Sequence, residues 1–120
     1  MTQQNQWTRV GHKTDLVPGA GVGARFGDHQ VAVFYIPELD PPLLAVDNYC
    51  PISGVNIIAR GIVGDINGEP VVATPLYKKH FSLWDGRCLE DASYSLRPYA
   101  VRLDADQLQV APQEQGAAAV

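Results

Sequence analysis

No stretch of this chain approaches the ~20 consecutive apolar residues that a membrane helix requires, so no membrane partner is expected. Positive charge is scarce: nine Lys and Arg stand against thirteen Asp and Glu, and the net charge of −4 gives nucleic acid or an anionic bilayer nothing to grip. Cysteine is scarcer still. Two thiols cannot form the disulfide framework of a small secreted domain, and the opening Met-Thr-Gln-Gln-Asn-Gln has neither the cationic nor the apolar part of a secretion signal. Free thiols in the cytoplasm are expected. Paired carboxylates in a recognisable site, a nucleophile elbow and a phosphate-cradling Gly motif are all missing. Gly19-Ala20-Gly21-Val22-Gly23 neither follows a strong strand nor opens a helix, so it reads as a flexible loop and not as a dinucleotide fingerprint. Asp47, Asp85, Glu90 and Asp91 are scattered acids of the solvated or turn-forming kind. No catalytic residue is expected on this chain.

What is present points to strands. The hydrophobic fraction of 46% over 120 residues suffices for one core and one domain. His29 to Ile36 is β-branched and aromatic without a breaker, a strand covered on both faces. Trp7–Val10, Gly21–Phe26 and Leu43–Val46 are further strands. Ile62–Ile66 and Glu69–Ala73 form a hairpin about Asn67-Gly68, with Pro70 placed at an edge or just outside the ladder. Phe81 and Leu83 carry a short strand that ends in a turn at Asp85-Gly86, and Val55–Gly61 allows one helical turn. Tyr99, Val101 and Leu103 alternate with polar residues, and so does Gln107–Val110 after a turn at Ala105-Asp106. About eight to ten short strands with turns every 8–12 residues or so predict an all-β sandwich or barrel. Residues 1–6 are expected to be a disordered N-terminus, 7–110 the domain, and 111–120 a disordered tail.

Two segments carry similar punctuation. Asn48-Tyr49-Cys50-Pro51-Ile52-Ser53-Gly54 follows an apolar strand, and Ala73-Thr74-Pro75-Leu76-Tyr77-Lys78-Lys79-His80-Phe81 precedes one. Together they resemble the cluster loops of a Rieske domain, Cys-Pro-His-x-Gly and Cys-Pro-x-His. The resemblance implies a β-sandwich with a small subdomain formed by the two loops. A Rieske centre takes two Cys thiolates and two His nitrogens. Here Cys50 keeps one ligand position, while Ile52, Thr74 and Tyr77 occupy the other three, so no iron–sulfur cluster and no metal is expected. His12, His29 and His80 do not replace them in spacing. Cys50 and Cys88 then read as small buried hydrophobes, and His80 as a surface residue beside two lysines.

A narrower likeness covers roughly residues 7–110 and is strong from residue 47 to residue 103. Ile57-Ile58-Ala59-Arg60-Gly61-Ile62-Val63, and the run from Thr74-Pro75-Leu76 through Asp85-Gly86-Arg87-Cys88-Leu89-Glu90-Asp91, are similar to the small subunits of assimilatory NAD(P)H-dependent nitrite reductases. That resemblance implies an accessory subunit of an oxidoreductase that reduces nitrite to ammonium in nitrate assimilation. The large subunit would be the partner and would hold the FAD, siroheme and iron–sulfur cluster. It also implies a partner-binding face at the loop tip, with Tyr49, Ile52, Tyr77, Lys78, Lys79, His80 and Trp84. A Rieske-type ferredoxin serving an oxygenase, and a free-standing β-sandwich binding module, are the alternatives.

Overall fold

The computed structural model describes residues 6–75 and 78–113. Nine strands appear among them: β1 (Thr8–His12), β2 (Ala20–Phe26), β3 (His29–Tyr35), β4 (Leu43–Asp47), β5 (Ile62–Ile66), β6 (Glu69–Ala73), β7 (His80–Ser82), β8 (Pro98–Asp104) and β9 (Gln107–Pro112). The first four and last two form a six-stranded antiparallel sheet in the order β1-β9-β8-β4-β3-β2, and β1 returns close to β2, so the sheet is nearly closed. Strands β5-β6-β7 make a second, smaller antiparallel sheet. The fold is all-β, as the strand pattern predicts.

Strand β3 explains how the two parts share one molecule. Its Val31, Ala32, Val33 and Phe34 are all fully buried. Alternate side chains leave a strand on opposite faces. Val31 and Val33 therefore join Ala45, Tyr99, Leu108 and Val110 inside the closed sheet. Ala32 and Phe34 turn the other way, toward Val46, Cys50, Ile58, Val72 and Phe81. The β3–β4 ladder is thus a wall with a core on each side.

Turn chemistry sets the connections. Asn67 and Gly68 both have positive φ, at 53° and 85°, which matches the two-residue hairpin expected there. Ala105 and Asp106 do the same between β8 and β9. Gly86 has φ 83°, and a Cβ on it would lie 1.9 Å from the Leu96 carbonyl oxygen, so only glycine fits.

Four sequence expectations need correction. The Gly19–Gly23 run is not a flexible loop, because Ala20–Gly23 open β2 and pair with β3. Gly21 is small for packing reasons: a Cβ there would come within 2.6 Å of the Phe34 ring and 2.9 Å of the Ala59 carbonyl oxygen. Pro70 lies inside β6, opposite Asp65, at the end of the ladder where β7 no longer pairs. Leu83 falls outside β7, its N–H turned to the Pro70 carbonyl at 2.9 Å. Finally, β9 continues through Ala111 and Pro112 into what sequence reads as tail, since Ala111 is buried opposite Ala100. Residues 1–5 and 114–120 of the expected termini lie outside the described residues.

Candidate functional site

The first loop is tied down by its polar backbone. Asn48 is only 4% exposed; its Oδ1 accepts from the Ala59 N–H at 2.7 Å and its Nδ2 donates to Gln30 Oε1 at 2.9 Å. The Cys50 N–H donates to the Val55 carbonyl, and the Gly54 N–H donates back to the Cys50 carbonyl, both at 2.8 Å. Gly54 supplies the positive φ this tight loop needs. The result points the Cys50 side chain inward, fully buried in the core that also holds Ile58, Phe81, Leu83 and Cys88. Ile52 packs half-buried against the same core. Both cysteines are free thiols.

The second loop closes on Thr74. Its N–H donates to the Lys79 carbonyl at 2.8 Å, its Oγ1 accepts from the Lys79 N–H at 3.2 Å, and its carbonyl accepts from the Lys78 N–H at 3.2 Å. Thr74 is 2% exposed. Lys78, at φ 55°, turns the chain outward, while Lys79 is half-buried. Tyr77 lies outside the described residues. His80 follows at the start of β7, where its Nδ1 meets Glu90 Oε2 at 2.6 Å and its N–H donates to Glu90 Oε1 at 2.8 Å. Burial pushes the Glu90 carboxyl up, but the bonds from the His80 backbone and ring together outweigh it and hold the group below its ordinary value.

This donor set does not fit a [2Fe–2S] cluster. Cys50 is engulfed in the apolar core, Ile52 has no lone pair to offer, and the Thr74 hydroxyl already holds its loop shut. Among the described residues no three His, Cys, Asp or Glu side chains gather as a metal site.

The scattered acids are structural. Glu69 takes both Arg87 guanidinium nitrogens at 2.8 Å and also accepts from Ser82 Oγ, and Asp85 caps the Arg87 N–H at 3.1 Å. The Arg87 bonds, then the Ser82 hydroxyl, hold the Glu69 carboxyl below its usual value, and Glu69 in turn raises Arg87. Asp47 accepts from the Tyr99 hydroxyl at 2.7 Å and from the Arg97 N–H at 2.9 Å, joining β4 to β8. Asp91 accepts from the Ser93 N–H and hydroxyl in a local turn.

The Rieske-like [2Fe-2S] domain family matches residues 6–111. The nitrite reductase (NADH) small subunit of Escherichia coli K12 is 36% identical over 99 residues, which cover 82% of this chain and 91% of that protein. The chain belongs to the nitrite reductase small-subunit family. A nitrite reductase [NAD(P)H] large subunit from Klebsiella oxytoca is also 37% identical over 101 residues, which make up 83% of this chain but 10% of that protein. Among solved structures, the E. coli protein NirD matches with a TM-score of 0.77 at 35% identity, covering 88% of this chain and 94% of its own. The nitrite reductase [NAD(P)H] small subunit of Erwinia carotovora matches with a TM-score of 0.74 at 37% identity, covering 91% and 83%. The ferredoxin of carbazole 1,9a-dioxygenase from Nocardioides aromaticivorans shares the fold, with a TM-score of 0.73 at 20% identity, covering 89% of this chain and 98% of its own.

Within this small-subunit fold the loop-tip residues divide. Lys78 and His80 line one cleft of about 510 Å³ with Arg60, Ile62, Thr74 and Pro75. Tyr49 is exposed on the first loop, its backbone bridged to Asn56. Trp84 is exposed but stands elsewhere. The Leu83 bond to Pro70 and the Trp84 N–H bond to Ser82 Oγ set it at the start of β6, whereas the cleft adjoins Ala73 at that strand's end. Sequence reading misses Ile62, which is 77% exposed and lines the cleft. The signal was available: Ile62 and Val63 are adjacent in β5, Val63 faces the core, and alternation then turns Ile62 out. Arg60 is missed because it ends a three-residue 3-10 turn with no periodicity to read.

Proposed function

We propose that this chain is the accessory subunit of a cytoplasmic NAD(P)H-dependent nitrite reductase, docking on the large subunit without chemistry of its own. On this reading the partner holds the FAD, siroheme and iron–sulfur cluster, and nitrite is reduced to ammonium there. The observation that carries the partnership is the Klebsiella match, in which a segment like this whole domain is one tenth of a large subunit. A domain that works inside the large chain in one case fits against it as a separate subunit in another. The free, buried Cys50 and Cys88 suit a reducing compartment. The ferredoxin alternative asks for four cluster ligands that Cys50, Ile52 and Thr74 do not supply.

The docking face is the cleft lined by Arg60, Ile62, Lys78 and His80, to which the loop-tip reading adds Lys79, Tyr49 and Ile52, with Tyr77 included by its place in the sequence alone. An exposed isoleucine among cations offers an apolar anchor inside a charged rim, the composition that suits an acidic, apolar patch on a partner. The test is the double reversal Lys78→Glu with Lys79→Glu, assayed for association with the large subunit purified from nitrate-grown cells. We expect binding to weaken at least tenfold while the melting temperature falls by no more than about 4 °C, since Lys78 is exposed and Lys79 only half-buried. Normal binding by the double variant would move the interface elsewhere, and failure of the wild-type chain to bind the large subunit would sink the partnership.

A further inference from the structure

A second concavity shares Arg60 with the proposed docking cleft. It is a groove of about 520 Å³ over the face of β2 that is turned away from the closed-sheet core. Val22, Ala24 and Phe26 pack into that core, so Gly21, Gly23 and Arg25 face the groove. Gln30, paired with Arg25 across the ladder, lies on the same face. Asn48, Asn56 and Arg60 complete the polar wall.

The charge of this lining is one-sided. Arg25 and Arg60 line the groove, no Asp or Glu does, and neither guanidinium has an ion pair or side-chain hydrogen bond among the described residues. On a chain of net charge −4, two unpaired arginines in one concavity are a local exception. Asn48 adds a buried donor. One N–H of its amide is spent on Gln30 Oε1, and the other has no protein acceptor among the described residues. Gly23 keeps the floor low, where a Cβ would lie 3.2 Å from Asn48 Nδ2. Guanidinium forks with amide donors match a multi-oxygen anion such as a phosphate group.

We infer that this groove binds a small phosphate-bearing anion. A volume of about 520 Å³ falls within the ~300–1,000 Å³ of small-molecule sites. A protein segment is a poorer occupant, because Val17, Tyr49, Val55, Ile62, Trp84 and Leu103, the large apolar side chains exposed among the described residues, all lie outside this lining. The inference does not depend on the docking reading. Arg25 lines only the groove and Lys78 only the cleft, so the two can fail separately.

The experiment is a titration of the full, free chain with inorganic pyrophosphate at 150 mM NaCl, followed by amide chemical shifts in two-dimensional ¹H–¹⁵N NMR. We expect saturable shifts centred on Gly23, Arg25, Ala59 and Arg60. Arg25→Gln should weaken the fitted dissociation constant at least tenfold, and adding Arg60→Gln should weaken it further. Lys78→Gln with Lys79→Gln should leave it within about twofold, and unchanged spectra outside the groove report that each variant is folded. Tighter binding of ADP than of pyrophosphate would assign a nucleotide, and equal binding a simpler phosphate; both uphold the site. Shifts that never saturate, an affinity indifferent to Arg25→Gln, or a hexaglutamate peptide that outcompetes pyrophosphate in the groove would each overturn it.

Discussion

The two cores on either side of the β3–β4 wall are built by different means. On the closed-sheet side, Val31, Val33, Ala45, Tyr99, Leu108 and Val110 all sit on strands, and the ladders that carry them satisfy their backbone groups. On the loop side, Cys50, Leu83, Cys88 and Leu96 come from irregular chain, and each needs its own backbone arrangement. Cys50 N–H goes to Val55, Cys88 N–H to Tyr94 at 3.1 Å, and Leu96 N–H to Gly86 at 2.7 Å. In a cluster-bearing Rieske domain, metal ligation would cross-link such loops. Here side-chain packing and the Thr74 bonds hold them. One core is a sheet wrapped on itself; the other sets strand residues such as Phe34, Val72 and Phe81 against loops held by what they bury.

The sharpest way to break that contrast is to cut one large residue from each side. Phe81→Ala, fully buried on the loop side, should cost about 3–5 kcal/mol, and Leu108→Ala, on the closed-sheet side, about 2–5 kcal/mol. Chemical denaturation would measure both. Similar losses are expected, but their consequences should differ. At a temperature where both variants remain folded, Phe81→Ala should weaken large-subunit binding because β7 leads out of the second loop, and Leu108→Ala should not. Equal effects on binding would mean that the two cores are one cooperative unit and that the contrast is only geometric.

A smaller cut tests what replaced the metal. Cys50 is wholly enclosed, so Cys50→Ala removes one sulfur's worth of contact and should cost about 1–2 kcal/mol. Cys50→Ser should cost more than Cys50→Ala, because it buries a hydroxyl that must find a partner in an apolar pocket. If serine were the better tolerated, the Cys50 site would be polar, and the loop core would not be the apolar substitute argued above.

The same contrast decides what could be read from the sequence. Strands of the closed sheet announce themselves by alternation: Tyr99-Ala100-Val101-Arg102-Leu103 gives β8, and the unbroken apolar run from Val31 to Phe34 marks a strand covered twice. The loops announced themselves only by likeness to a family, because Cys50-Pro51-Ile52 and Thr74-Pro75 have no period to follow. Gly21 and Gly23 misled because glycine usually signals freedom, whereas here it makes room for Phe34, Ala59 and Asn48. Trp84 is near His80 in sequence but not at the same end of the small sheet. Strand β7 is three residues long and carries the chain to the other end of the small sheet.

Acid probes that other end. The Arg87 and Ser82 bonds depress the Glu69 carboxyl in the folded state, so they add stability above its unfolded value of 4.5 and lose it as pH falls through the folded value. Glu69→Gln should therefore melt lower than wild type at pH 7, and the gap should begin to close as pH falls below the unfolded value of 4.5 and be gone once pH is below the depressed folded value. Melting curves across that range are the measurement. A gap that stays constant would mean that Glu69 acts by packing and not by charge.

The smallest expected effect belongs to Trp84. Its side chain is 55% exposed at the turn that Ser82, Glu69 and Arg87 pin, at the opposite end of β6 from the proposed docking cleft. The Trp84 N–H bond to Ser82 Oγ is made by the backbone and survives truncation of the indole. Trp84→Ala should thus change stability by about 0.5 kcal/mol or less, as exposed substitutions do, and leave large-subunit binding within twofold. Ile62→Ala, equally exposed in kind but inside the cleft, should weaken the same binding at least tenfold while moving the melting temperature as little. Binding lost by Trp84→Ala and kept by Ile62→Ala would reverse the assignment, putting the partner at the turn end of β6 instead of the loop end.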